Sequence, residues 1–227
     1  MRLFKHLIVF LFLINNVIAF DDDNQERRGT FYFVRHGSTD WSMDALLEGP
    51  MDLPLNAKGK EEITQLTQEF EKLRDSNGFP TCIFHSSLQR CIETGHILKE
   101  KLSITTIKQV NDLQEVYRGD WSKLESEEKV KANAFLKEKK YVELSTIKVE
   151  DAEDWKEFLK RIKIAVDQCL EPDEFPFPII VTHGQVVKEF LKSKNCWATV
   201  ESKWKGENRP PLQVNYKGTE WSTKVME

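Results

Sequence analysis

The chain has 227 residues, 40% of them hydrophobic, and a formal net charge of −4 at pH 7. This length and composition are typical of one globular domain with a single hydrophobic core. The acidic balance and the lack of a long basic block argue against nucleic acid or an anionic membrane as the main partner. Any affinity for anions must therefore come from a local group of cationic side chains.

The first 19 residues have the pattern of a secretory signal. Arg2 and Lys5 make a basic start, residues 7–14 form an unbroken apolar run, and Val17 and Ala19 occupy the minus-three and minus-one positions of a cleavage site. The apolar run is too short to span a bilayer, although an uncleaved membrane anchor is the alternative. We therefore expect export, periplasmic or secreted, with no stable membrane association after cleavage.

Strands and helices are predicted to alternate along the rest of the chain. Residues 20–29 are charged and poor in apolar side chains, which indicates a flexible leader before a domain that spans residues 30–227. Apolar or β-branched runs predict strands at 30–34, 80–85, 105–110 and 179–182. Helical patterns cover 57–74, a segment capped by Ser86 and Ser87 that ends near 101, 122–141, 152–170 and the residues after 184. Residues 212–216 and 221–226 are typical of a closing hairpin.

This order of elements determines the expected fold class. Strand and helix alternate without internal repeats or a linker, which predicts one α/β domain with a mainly parallel sheet. Functional side chains in open sheets of this kind lie beyond the carboxyl ends of the strands.

Two short motifs stand at such strand ends. Arg35-His36-Gly37 follows an apolar run at 31–34, and His183-Gly184 follows another at 179–182. Two imidazoles with an adjacent guanidinium suit phosphate chemistry, because one imidazole can attack phosphorus while the other groups hold the oxygens.

Two further candidates follow the remaining strands. Arg90 is placed in the first turn of a helix, where the helix amides also favour an anion. Glu115 lies in the loop after the third strand, and Asp112, Asp120 and Glu125 are nearby alternatives for a proton donor. All these candidates lie just past a strand end, so they can converge on one pocket.

The cysteines leave two alternatives open. Cys82, Cys91, Cys169 and Cys196 are even in number, and export would permit disulfides, with Cys169 and Cys196 the first pair to test. Buried free thiols are at least as well supported, because Cys82 lies in an apolar run and Cys91 follows Arg90. No CxxC motif or histidine-rich cluster in the sequence indicates a metal site.

The motifs together resemble those of the histidine phosphatase, or phosphoglycerate-mutase-like, superfamily. The resemblance covers nearly all of residues 30–227 and rests on the Arg-His-Gly motif with its companions. These are Ser38-Thr39-Asp40-Trp41, Glu48-Gly49, Asp52-Leu53-Pro54-Leu55, Ser86-Ser87-Leu88-Gln89-Arg90 and Thr182-His183-Gly184. The resemblance implies a three-layer α/β/α sandwich with a mainly parallel central sheet, a phosphohistidine intermediate, and neither metal nor cofactor.

The resemblance also implies a role for each catalytic candidate. His36 is the nucleophile, which must stay neutral by donating a hydrogen bond from its other ring nitrogen to a backbone carbonyl. Arg35 and Arg90 bind phosphoryl oxygens, and a protonated His183 adds positive charge. Glu115 protonates the leaving oxygen and then activates water, since it alone fits the family pattern Leu113-x-Glu115 with Gly119-x-Trp121.

The substrate-binding candidates are Ser42, Glu48, Gly49 and Gly184, and two of them depart from the family pattern. Ser42 stands where many members have asparagine, and Glu48 stands where many have glutamine. Serine still donates to a phosphate oxygen, whereas an ionised Glu48 would repel an anion. This pair predicts a small phosphomonoester with a neutral or cationic body as the partner molecule.

Three functions are compatible with these motifs. Our first interpretation is a phosphatase, because only a modest charged segment separates Trp121 from the helix predicted at 152, whereas related mutases carry a long insertion there. Export also separates the chain from glycolysis. The alternatives are phosphoglycerate mutase-type transfer, and an exported binding protein that has kept the fold and lost turnover.

Overall fold

The computed structural model describes most of the chain beyond residue 27. The described residues are 28–40, 52–120, 127, 128, 130, 131, 134, 149, 151–170, 175–204 and 209–226. The strands are β1 (Arg28–Arg35), β2 (Cys82–His85), β3 (Thr106–Gln109), β4 (Ile179–Thr182), β5 (Leu212–Lys217) and β6 (Glu220–Val225). The helices are α1 (Ala57–Glu71), α2 (Gln89–Leu102), α3 (Trp155–Cys169) and α4 (Gly184–Ser193), with a 3₁₀ turn at Asn111–Leu113.

The six strands form one sheet in the order β3-β2-β4-β1-β5-β6. The four strands from β3 to β1 run parallel, and the β5–β6 hairpin is antiparallel at the edge. The register pairs Arg35 with Thr182, so β1 and β4 end side by side. The mainly parallel sheet and the closing hairpin are confirmed.

Side chains of β1 alternate between the two faces of the sheet, because successive residues of a strand point to opposite sides. Phe31 and Phe33 join the hydrophobic cluster that includes α3 and α4, whereas Tyr32 and Val34 join the cluster that includes α1 and α2. Burial of each such side chain contributes about 1.5–3 kcal/mol. Helices therefore cover both faces of the sheet, which confirms the three-layer α/β/α sandwich.

Several element boundaries differ from the sequence-based expectation. β2 begins at Cys82 rather than residue 80, α1 ends at Glu71 rather than residue 74, and α3 begins at Trp155 rather than residue 152. β1 begins at Arg28 rather than residue 30, because its antiparallel partner extends the pairing as far as Arg28 with Lys217. The prediction that Ser86 and Ser87 cap α2 is wrong. The N-cap is Leu88, without a side-chain bond to the helix, and Ser87 Oγ accepts from Gln114 Nε2 at 2.6 Å.

The four cysteines are all buried free thiols, which confirms that alternative. No disulfide joins Cys169 to Cys196; the Cys196 sulfur contacts Leu191 O at 3.6 Å and Thr223 Oγ1 at 3.3 Å instead. Burial raises the pKa of both thiols, so they remain protonated at neutral pH. These side chains fill the core as small hydrophobes.

Several predicted segments lie outside the described residues. They are the signal at 1–19, most of the leader at 20–29 and nearly all of the charged helix predicted at 122–141. In the part of the chain that the structure describes, no helix is both long and apolar enough to cross a bilayer.

Candidate active site

The ends of β1 and β4 bring the two motif histidines together. The backbone N–H of His36 donates to Thr182 O at 3.1 Å, and the ring centroids of His36 and His183 are 5.2 Å apart. His36 is partly exposed, whereas His183 is buried behind it. The two imidazoles thus form one site, in which His36 is the more exposed of the two.

The environment of His36 is that of a neutral imidazole. Its Nδ1 lies 2.8 Å from Gly37 O, a contact that places the proton on Nδ1 and leaves the lone pair on Nε2. Burial, followed by the cations Arg35 and Arg90, lowers its pKa well below the usual value, although the bond to Gly37 opposes this shift. The expected backbone partner is therefore present, and Nε2 is available as a nucleophile at neutral pH.

The loop after β1 is held by a close approach to α1. A Cβ on Gly59 would lie 2.1 Å from the carbonyl oxygen of Ser38, so only glycine allows the two backbones to meet. The carboxylate of Glu62 accepts from both the backbone N–H and the hydroxyl of Ser38, at 3.0 and 2.8 Å. These contacts fix the backbone that carries His36.

The buried surroundings of His183 favour a neutral imidazole. Its Nε2 lies 2.9 Å from Ser86 Oγ and 3.4 Å from the Cys91 sulfur. Burial, then His36 and the nearby arginines, lowers its pKa well below the usual value. A desolvated imidazole among cations disfavours protonation, so His183 is neutral in the unliganded protein. Its protonation in the transition state stays a prediction.

Glu115 is held by two backbone amides. Its Oε1 accepts from Val116 N at 3.0 Å, and its Oε2 accepts from Gln185 N at the start of α4 at 3.1 Å. Desolvation raises the pKa of the carboxyl, and these hydrogen bonds and the cations Arg118 and Arg90 offset only part of the rise. Glu115 therefore remains protonated to higher pH than an ordinary carboxyl, as a general acid requires.

The other carboxyls considered as proton donors have different surroundings. Asp112 is exposed on the 3₁₀ turn, and Glu125 lies outside the described residues. Asp120 follows Gly119, which has a φ of 83°. Glu115 is the candidate that Val116 N and Gln185 N hold in place.

Three guanidinium groups surround this pair of histidines. Burial lowers the pKa of Arg35; the charge of Glu115 opposes this shift, whereas the charge of Arg90 adds to it. Arg90, in the first turn of α2, is mostly buried and lies 4.0 Å from the carboxylate of Asp52. Asp52 also accepts from Gln89 N at 2.7 Å.

Arg209 is the third of these arginines, and the sequence analysis missed it. A Cβ on Gly184 would lie 2.9 Å from Arg209 Nη1 and 3.7 Å from Arg35 Nε, so both guanidinium groups border the small volume that Gly184 leaves open. Arg209 also lies over the Trp204 ring, 4.6 Å from its centroid. The signal that could have found it is the antiparallel hairpin, because β5 begins at the edge where β1 ends.

Other predicted binding residues are not all described. Gly184 borders the site, whereas Ser42, Glu48 and Gly49 lie outside the described residues. Within the described ranges, no group of three or more His, Cys, Asp or Glu side chains is placed to hold a metal ion. The groups that the structure brings together suit a phosphoryl anion, since guanidinium forks match its oxygens.

Comparisons with known proteins agree with this geometry. The sequence model of the histidine phosphatase superfamily (branch 1) matches residues 31–215. The probable phosphoglycerate mutase GpmB of Salmonella arizonae is 24% identical over 193 residues, which cover 84% of this chain and 86% of that protein. A phosphoglycerate mutase from Bacillus anthracis superimposes with a TM-score of 0.67 at 21% identity, covering 89% of this chain and 94% of that chain. A mycobacterial glucosyl-3-phosphoglycerate phosphatase gives 0.64 at 19% identity, covering 88% and 98%.

Proposed function

Because the chain belongs to the histidine phosphatase superfamily, we propose that it hydrolyses phosphomonoesters through a phosphohistidine at His36, without a metal ion. The observation that carries this proposal is the state of His36. Its Nδ1 is bonded to Gly37 O, its pKa is depressed, and the charges of three arginines act on it. A neutral imidazole can act as the nucleophile, and the cations around it attract the anionic phosphoryl group.

The first chemical step is transfer of the phosphoryl group to His36. Nε2 attacks phosphorus and forms a P–N bond, while the ester P–O bond breaks. The leaving oxygen takes the proton of Glu115, whose raised pKa keeps that proton available. Arg35, Arg90 and Arg209 balance the negative charge on the equatorial oxygens.

The second step releases inorganic phosphate. Glu115 is now a carboxylate, and it takes a proton from water as the water oxygen attacks phosphorus. The P–N bond breaks, and His36 regains its neutral form. The same two backbone amides that hold the protonated carboxyl also hold the carboxylate, so one residue serves both steps.

The role of His183 in this proposal is that of a neutral hydrogen-bonding group at rest. A bound phosphoryl dianion offsets the positive charges that depress the pKa of His183. Protonation of His183 therefore accompanies substrate binding rather than preceding it. This coupling avoids the cost of a buried cation in the unliganded site.

The proposal for the substrate is a small phosphomonoester with a neutral or cationic body. It rests on Glu48, whose carboxylate would repel further negative charge next to the phosphoryl group. A phosphatase transfers the phosphoryl group from the histidine to water, whereas a mutase transfers it to another hydroxyl. A mutase is the alternative here, because a relative of this chain is named as a probable phosphoglycerate mutase.

Turnover measurements with the purified protein test the proposal. In the presence of a chelator, p-nitrophenyl phosphate should be hydrolysed, and acid quenching should trap acid-labile phosphate on the protein. His36→Ala should hydrolyse the ester several decades more slowly and should trap no acid-labile phosphate. His96 is an exposed histidine of α2, and His96→Ala should match the wild type in both measurements. Loss of activity in chelator with recovery on added zinc or magnesium would exclude the metal-independent mechanism.

Incubation with 3-phosphoglycerate distinguishes the alternatives. Isomerisation to 2-phosphoglycerate faster than phosphate release would indicate a mutase. Binding of phosphate without turnover of either compound would indicate a binding protein.

Export is a separate proposal, supported by residues 1–19 alone. Expression in a secreting host should yield a protein that begins at Phe20, as measured by mass spectrometry. A product that keeps residues 1–19 would exclude cleavage.

A further inference from the structure

We propose that Arg161 and Glu153 act as a positioning pair that holds the loop carrying Glu115, and so sets the efficiency of proton transfer to the leaving group. This inference rests on the proposed function, since it assigns the general acid to Glu115. Arg161 lies on α3, and Glu153 lies two residues before that helix begins. The charge of Arg161 contributes to the lowered pKa of His183. Within the described residues, no hydrogen bond or ring contact is found between either side chain and His36 or His183, so the pair acts on proton transfer through the loop.

The guanidinium of Arg161 binds backbone carbonyl oxygens of the loop. Its Nη1 donates to Asp112 O at 2.7 Å and to Gln114 O at 2.8 Å, and its Nη2 donates to Glu115 O at 3.1 Å. Three carbonyl groups within four residues therefore converge on one guanidinium. The last of them belongs to the proposed acid itself.

Glu153 completes the pair. Its carboxylate accepts from Arg161 Nε at 2.5 Å and from Arg161 Nη2 at 2.8 Å. It also binds the chain after the acid, since Tyr117 N donates to Glu153 Oε2 at 3.2 Å and Glu153 N donates to Tyr117 O at 2.8 Å. The loop is thus held on both sides of Glu115.

The geometry requires arginine rather than a simple cation. A guanidinium has five N–H donors in a rigid fork, and all five are used in these contacts. Lysine has three donors on one nitrogen and cannot reach the same set. Both side chains are about four-fifths buried, which limits competition from water.

The carboxylate of Glu153 is kept ionised. Burial raises its pKa, but hydrogen bonds from Arg161 and Tyr117 and the charge of Arg161 lower it by more, so the pKa lies below its usual value. The pair therefore keeps its charges across the range in which Glu115 gains or loses a proton.

The loop depends on this pair because it has no regular secondary structure of its own. Residues 114–120 follow the 3₁₀ turn without forming a helix or strand. A displacement of about 1 Å in a reacting group can cost a hundredfold in rate. Two further contacts anchor the start of the loop, since Thr182 Oγ1 donates to Leu113 O at 2.7 Å and Gln114 bonds to Ser87; we therefore expect Arg161→Met to displace Glu115 without unfolding the loop.

The test measures the phosphorylation step in single turnover with two substrates. An alkyl phosphate has a leaving group that needs a proton, whereas p-nitrophenolate leaves with little help. Arg161→Met should slow the alkyl substrate about 10- to 100-fold more than the activated ester. Arg161→Lys and Glu153→Gln should show smaller losses of the same selectivity, and Lys160→Met, an exposed neighbour on α3, should match the wild type.

Glu115→Gln, measured in parallel, separates failure of this inference from failure of the proposed function. If Glu115→Gln shows no selectivity for the leaving group, the acid has been misassigned and the proposed function needs revision. If Glu115→Gln is selective but Arg161→Met slows both substrates equally, the pair has only a structural role and the inference is wrong.

The double variant gives the sharpest result. If Arg161 acts through Glu115, adding Arg161→Met to Glu115→Gln should produce no further selectivity. A full additional effect would overturn the inference. If Arg161→Met does not fold, as judged by thermal unfolding, the same cycle with Glu153→Gln decides the question.

Discussion

Arg209→Met is expected to weaken phosphoryl binding without weakening the fold. Arg209 and Arg35 border the same volume above Gly184, at 2.9 and 3.7 Å from the position of a Cβ there. Burial, and then the charge of Arg35, lowers the pKa of Arg209, so folding already disfavours its cation. The charge is therefore kept at a cost to stability, which a bound anion would offset.

The expected magnitude follows from the contacts that change. A hydrogen bond to a charged group is worth about 1.5–3 kcal/mol, so kcat/KM for a phosphomonoester should fall about 10- to 150-fold. The cation–π contact of Arg209 with Trp204 is worth about 0.5–1 kcal/mol, while relief of the repulsion from Arg35 acts in the opposite direction. The free energy of unfolding should therefore change by less than about 1 kcal/mol.

The assay compares kcat/KM for p-nitrophenyl phosphate, the inhibition constant of inorganic phosphate, and denaturant unfolding. Arg209→Lys keeps the charge but not the fork, and should recover part of the loss. Arg74→Met removes an arginine that pairs with Glu71 and lies over the Phe79 ring, and should leave kcat/KM and phosphate inhibition unchanged. Wild-type kcat/KM and phosphate inhibition in Arg209→Met would refute the reasoning.

Three further predictions concern stability. The folded-state pKa of Glu115 is raised, so the stability that its protonated carboxyl contributes is complete below the pKa of the unfolded chain and is lost as pH rises through the folded pKa. In urea unfolding, the free energy of unfolding of Glu115→Gln should therefore rise relative to that of the wild type between pH 5 and 8. A constant difference between the two proteins would contradict a protonated carboxyl. The folded-state pKa of His183 is depressed, so the unfolded chain binds more protons as pH falls below about 6.5; the Tm should fall there, and less so in His183→Asn. Gly59→Ala places a Cβ 2.1 Å from Ser38 O and should cost about 1–3 kcal/mol, or roughly 2–12 °C in Tm. An unchanged Tm would show that the loop adjusts without cost.

Much of the fold follows from local patterns in the chain. Apolar runs located β1, β2 and β4 to within two residues at either end, because strands buried on both faces need unbroken apolar sequence. The edge strand β3 is half exposed, and its β-branched residues located it to within one residue. Apolar residues at helical spacing located α1, α3 and α4, because a helix that packs against a sheet needs one apolar face. The cap at Ser86 and Ser87 was wrong because serine hydroxyls have several possible partners, and a tertiary contact with His183 is available to Ser86.

The candidate site also contains residues that the sequence predicts and residues that only the folded structure brings together. Arg35, His36, Arg90, Glu115 and His183 were predicted from the sequence because each lies at or after the end of a parallel strand, and such strands end at one edge of a sheet. Arg209 precedes its strand, so only the antiparallel pairing of β5 with β1 brings it to that edge. Arg161 lies in the middle of a helix, where a sequence pattern does not distinguish it from a surface cation.

The sequence by itself determined which groups can perform the chemistry, since the order of strands and the residues that follow them are local properties. The tertiary structure decided their ionisation and orientation. Burial and neighbouring cations make His183 neutral, and burial keeps the Glu115 carboxyl protonated to higher pH. Those states depend on desolvation and on charges brought together from distant parts of the chain, and both arise only when the chain is folded.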